Sequence, residues 1–139
     1  MSVRENAIAA LVTNLQASSA INSVIRLNDR ETLARPAYPA VMVVDDGLET
    51  RYPMSGGFAD VYFIVRLIGR VRGKNQSSLM NSLDSAINSV ISANRTLGGV
   101  VANVTIMPRE NTVLDGNEED TNFTRPIRVY YLANESLGD

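Results

Sequence analysis

The chain of 139 residues contains no cysteine and no histidine. Without cysteine there is no disulfide, no thiolate nucleophile and no cysteine-ligated zinc or iron–sulfur cluster. Without histidine the commonest general base and transition-metal ligand are gone, and a Ser-His-Asp triad with them. Tryptophan is also absent, which disfavours an aromatic cage. Lysine occurs once, as Lys74, against twelve arginines. No apolar run approaches the about 20 residues that span a bilayer. The start, Met1-Ser2-Val3-Arg4-Glu5, lacks a signal peptide's apolar core. The expectation is a chain made in the cytoplasm, not an enzyme, with no cofactor and no membrane partner.

What is present is an ordinary globular composition. Hydrophobic residues make up 45% and charged residues 20% of the chain, enough apolar content for one core and too much for global disorder. A single domain over 1–139 is expected, with its core at about 3–133 and a loose tail at 134–139. The formal net charge of -2 argues against coating nucleic acid through bulk charge. The arginine excess has two readings: genomic codon bias, or ion pairing across subunit interfaces, where arginine is enriched.

Ile8, Leu11, Val12 and Leu15 recur at helical spacing, so 3–16 is a predicted helix. Ser2 is its N-cap, with Glu5 in capping-box register. Residues 21–27 read as a strand and 28–39 as a loop holding Pro36 and Pro39. Ala40-Val41-Met42-Val43-Val44 is a short strand buried on both faces, ended by the turn residues Asp45-Asp46-Gly47. After a loop over 47–57, residues 58–72 alternate throughout. One face carries Ala59, Val61, Phe63, Val65, Leu67 and Val71. The other carries Asp60, Tyr62, Ile64, Arg66, Ile68, Arg70 and Arg72. Such a strand is roughly 50 Å long at about 3.3 Å per residue, against a domain diameter of roughly 37 Å. Either Gly69 bends or bulges it, or its 68–73 end projects and needs a partner.

A second helix, 77–93, has Leu79, Leu83, Ile87, Val90 and Ile91 as its apolar stripe. Its other face is Ser, Asn and Gln, with Asp84 the one charge, and is either plain polar surface or a packing surface for a neighbouring subunit. Leu97-Gly98-Gly99 reads as a helix C-cap leading into strand 100–108. Residues 109–122 form an acidic loop. A last strand, 123–132, contains Pro126 and is therefore an edge strand or a bulged one. The order α-β-β-β-α-β-β defines an α+β fold: a largely antiparallel sheet of about five strands with two helices on one face.

Carboxylates are the only acid–base groups available, at Asp45-Asp46 and Glu118-Glu119-Asp120. An EF-hand pattern is missing, so these read as solvated acidic loops and not metal sites. Ser55-Gly56-Gly57 precedes a strand and cannot aim a helix N-terminus at a phosphate. The candidate interface is the strand face of Tyr62, Ile64, Arg66, Ile68, Arg70 and Arg72. Its mixture of isoleucine and arginine suits a protein interface better than a nucleic-acid platform. Glu118 and Glu119 are the candidate partners for these arginines from a neighbouring subunit.

Several segments combine into a pattern. They are the helix Ile8-Ala9-Ala10-Leu11-Val12, the proline loop into Pro39-Ala40-Val41-Met42-Val43-Val44, and Val61-Tyr62-Phe63-Ile64-Val65-Arg66. After the second helix come Thr96-Leu97-Gly98-Gly99-Val100-Val101 and the closing Val129-Tyr130-Tyr131-Leu132. Over roughly residues 3–133 this order resembles the tail terminator and tail completion proteins of tailed bacteriophages; related head–tail neck proteins share much of it. The resemblance implies a ring subunit, usually in a hexamer, that caps the tail tube, stops its polymerisation and offers a docking surface to the head connector. The implied partners are further copies of the chain, the tail tube protein, the connector and neck proteins, and the sheath of contractile tails. DNA would only pass through the ring lumen. The implied location is the head-proximal end of the virion tail. A different reading is another head–tail neck or adaptor protein. A nucleic-acid-binding accessory domain using the Arg66–Arg72 strand face is the third.

Overall fold

A computed structural model describes residues 2–26, 38–114 and 120–134. The expected loose tail beyond Asn134 and the acidic pair Glu118 and Glu119 lie outside the described residues. Helix α1 (Val3–Gln16) begins at Ser2, whose hydroxyl accepts from the Glu5 backbone N–H at 3.1 Å. Only that half of the capping box forms. The Glu5 carboxylate turns to Arg26 instead, at 2.5 and 2.8 Å. Ala7, Ile8, Leu11 and Leu15 form the buried stripe of α1.

Among the described residues the sheet has six strands, β1 (Ser23–Arg26), β2 (Ala40–Pro53), β3 (Phe58–Arg72), β4 (Asn103–Ile106), β5 (Glu110–Leu114) and β6 (Asp120–Asn134). Their order is β1-β2-β3-β6-β4, with β5 also on β6; β1 runs parallel to β2 and every other pairing is antiparallel. Helix α2 (Gln76–Ala93) connects β3 to β4. The architecture is the expected α+β fold with one strand more. The helices cover the face formed by Val61, Phe63, Val65 and Leu67 of β3 and by Phe123, Ile127 and Val129 of β6. Each such side chain, fully buried, is worth about 1.5–3 kcal/mol.

Three strands differ from expectation. Asp45-Asp46-Gly47 does not end β2. It forms a bulge, with the β3 register passing from Asp45↔Val65 to Glu49↔Phe63, and β2 continues to Pro53. Gly47 takes φ +78°, which glycine adopts without strain, and its N–H donates to the Asp45 carboxylate at 3.0 Å. The acidic loop 109–122 contains β5. Pro126 lies neither on an edge nor in a bulge of the β3–β6 ladder, because β6 pairs with β3 along its whole length and with β4 and β5 on its other side. Pro126 sits where β4 has ended and β5 has not begun. Its carbonyl accepts from the Met107 N–H at 3.0 Å. The Met107 carbonyl, denied a donor by the proline ring, accepts from Arg125 Nη1 at 2.9 Å.

Gly69 is not a bulge: the register against β6 is unbroken from Phe58 to Arg72. The absent side chain serves packing. A Cβ there would lie 2.4 Å from the Phe123 ring and 3.0 Å from Leu83 Cδ2. The long strand holds its length because β6 matches it residue for residue. Asp84, read as part of the polar face of α2, is buried (7% exposed). It accepts from Arg125 at 2.9 and 2.5 Å, and Arg109 stands 3.6 Å away.

Gly69→Ala is expected to lower stability in urea unfolding by about 1–3 kcal/mol, the usual cost of overpacking a core. Combined with Phe123→Leu, which frees the space, it should cost less than the sum of the two changes. Asp84→Ala should be among the most damaging single changes, at about 3–5 kcal/mol, because it leaves the Arg125 charge buried without its partner; the same unfolding experiment measures it.

Candidate protein-interaction face

In a strand, alternate residues point to opposite faces. The residues of β3 that alternate with the core positions therefore form the second face of the sheet, which neither α1 nor α2 covers. Tyr62, Ile64, Arg66, Ile68 and Arg70 are half-buried there and Arg72 is exposed. The ladder extends the surface: Val44 lies opposite Arg66, Met42 opposite Ile68, and Ile25 of β1 opposite Met42. All six residues of the expected strand interface thus share one continuous face.

Its arginines are held in different ways. Arg66 is ion-paired with Glu110 of β5, so a carboxylate of the same chain meets it. Arg70 lies 5.7 Å over the Tyr38 ring, and among the described residues its buried Nε has no hydrogen-bond partner. The structure adds residues that sequence reasoning missed. Tyr130 of β6 is paired with Tyr62, and their rings stack at 4.8 Å. Tyr52 meets Tyr62 edge-on at 5.9 Å, and the Arg128 guanidinium lies 5.2 Å over the Tyr62 ring. Thr50, Tyr52, Tyr62 and Arg128 wall a concavity of about 280 Å³. The Tyr130 hydroxyl donates to Asp60 at 2.5 Å. That bond holds the Tyr130 phenol above its ordinary pKa, because ionisation would break it and place two anions together.

Of the candidate acids, Asp45 has a partner within the chain. Asp45, read as solvated, instead accepts from Arg4 at 2.8 Å, and Arg4 also lies 3.7 Å from Glu49 and 4.7 Å over the Phe63 ring. Arg4 holds the Asp45 carboxyl below the usual range, and Arg26 does the same to Glu5. Carboxyl groups lowered on folding stabilise the fold above their unfolded pKa, and that contribution fades as pH falls through the lower folded value. These pairs pin the start of α1 to β1 and β2. Among the described residues no group of three or more acids converges as metal ligands, and no helix is long and apolar enough to cross a membrane.

No protein-family profile matches the chain, and no curated protein matches it in sequence. The site is therefore defined by its own geometry. That geometry is a half-buried sheet face of isoleucine, tyrosine and arginine that neither α1 nor α2 covers, ending in a tyrosine cluster.

Tyr130 should ionise at higher pH than an ordinary tyrosine, read as the difference between ultraviolet absorbance titrations of the wild type and Tyr130→Phe. Asp60→Asn should return it toward the ordinary value. The sign follows from the raised pKa. The stabilisation from this bond is complete below the unfolded tyrosine pKa and is lost as pH rises through the folded one.

Proposed function

We propose that this chain is a structural subunit of a bacteriophage tail, one that assembles with copies of itself into a ring of six that caps the tail tube. The observation that supports an assembly role is the open sheet face. A surface combining Ile64 and Ile68 with Arg66, Arg70 and Tyr62 is too apolar to favour water, while its charges are unlike a monomer core. The place on the virion rests on the resemblance of the chain's element order and segments to tail terminator proteins. In this reading the ring stops tube polymerisation and presents its far side to the head connector and neck proteins, and in contractile tails it also meets the sheath. It performs no chemistry, takes no cofactor and encloses DNA without reading it.

The nucleic-acid reading of the Arg66–Arg72 face is weaker because Arg66 is already neutralised by Glu110. A steep salt dependence of DNA binding would favour it.

Tails assembled without this protein should vary in length and lack a cap at the head-proximal end in electron micrographs, and adding it should restore uniform, capped tails. Normal, uniform tails in its absence would refute the reading. Arg70→Glu is expected to melt within a few degrees of the wild type by circular dichroism while failing to restore tail length. Uniform tails from that folded variant would remove this part of the face from assembly.

A further inference from the structure

Among the described side chains the acids are matched to arginines, with one exception. Glu5, Asp45, Glu49, Asp84 and Glu110 each meet an arginine. Asp60 takes the Tyr130 hydroxyl and no cation. Arg128 is its converse: it is exposed, meets no carboxylate among the described residues, and lies with its guanidinium over the Tyr62 ring. Both residues belong to the sheet face that neither α1 nor α2 covers, where Arg128 stands opposite Ile64. An unpaired anion and an unpaired cation thus share one patch.

The two charges do not pair within one subunit. Asp60 stands opposite Leu132 and Arg128 opposite Ile64, so four ladder positions, or about 13 Å of strand, separate them. Halfway between lies the ladder pair Tyr62↔Tyr130, whose rings stack. An acid and a base placed on either side of a tyrosine pair make the patch self-complementary. A two-fold axis lying along the face and crossing the ladder at that pair exchanges the two positions, so Asp60 of each copy meets Arg128 of the other. Sheets packed face to face stand about 10 Å apart, a gap that an aspartate and an arginine reaching from opposite sides can close. Arg128 already stands in the wall of the hollow that Thr50, Tyr52 and Tyr62 complete, where an incoming carboxylate would be received. Tyr52 and Leu132 flank Asp60 in the ladder and are 57% and 50% exposed. Apolar side chains in that position exclude water from a charged pair at an interface.

We infer that the tyrosine end of this face pairs with the same face of a second copy, in a two-fold dimer held by Asp60 of each subunit on Arg128 of the other. The inference goes beyond the ring reading and stands without it. A two-fold contact uses one patch twice and closes at two copies, whereas a ring of six repeats a contact between two different patches. The dimer therefore leaves the ring contacts to other parts of the surface.

Sedimentation of the purified full chain reads its mass over a range of concentrations, and each variant's fold is checked by its melting curve. The wild type should pass from monomer to dimer as concentration rises. Arg128→Asp should weaken dimerisation by about two orders of magnitude, because both contacts of the pair then set like charges together. Asp60→Arg should do the same. An equimolar mixture of the two variants should dimerise again, as should one chain carrying both changes, since each arrangement restores opposite charges at both contacts. If Asp60→Arg melts early, position 128 decides alone: Arg128→Asp must lose more than Arg128→Gln. Wild-type association by folded Arg128→Asp, or no recovery in a mixture of folded variants, overturns the inference. A wild type that stays monomeric, or that forms larger assemblies with no dimer, overturns it as well. The ring reading is untouched by either result, because the tail-length experiment decides it.

Discussion

The bond between Arg125 and Asp84 organises the half of the molecule that α2 covers. Arg125 stands on the strand at the middle of the sheet and Asp84 on the helix that crosses it, so one planar pair sets the height and rotation of the helix. The same guanidinium completes the carbonyl of Met107, where the ladder passes from β4 to β5. Arg109 adds a second positive charge to Asp84 and lies 5.7 Å over the Phe123 ring. Phe123 fills the space that Gly69 leaves. Helix docking, the strand change at the edge and the packing of Phe123 on Gly69 thus share neighbouring atoms.

At the other end, α1 is fixed by charges at its start. Arg4 and Glu5 reach to β2 and β1 respectively, and the buried stripe of the helix then follows. Among the described residues, the sheet has its helical cover on one side. Fifteen-residue strands laid side by side give the bare side an unusual length. It presents aliphatic and arginine residues along its middle and tyrosines near one end.

Periodicity made α1, β3 and α2 readable, because each repeats its apolar positions over many residues. Residues 110–114 lack that repetition, and the strand they form depends on β6 beside it. Asp45-Asp46-Gly47 has the chemistry of a turn, and local chemistry does not distinguish a turn that ends a strand from a bulge within one. Pro126 misled for a similar reason: the rule against proline in central strands assumes a continuous neighbour on both sides. Asp84 was unreadable because its partner is 41 positions away. The Tyr62 face was legible from alternation alone. Tyr130 and Arg128 alternate in the same way within the last strand, but only the pairing of that strand with β3 brings them to Tyr62.

Pro126 also bears on how β6 finds its place. A slip of two residues against β4 would keep every side chain on its own face, so the hydrophobic pattern offers no resistance to it. The slipped strand would set the ring of Pro126 against Thr105, in the interior of a ladder that needs a donor there, and would carry Arg125 out of line with Asp84 and Met107. The proline thus acts as an error check: the break between the two outer strands admits it at one alignment, and the neighbouring alignments forfeit both a backbone bond and a buried charge pair.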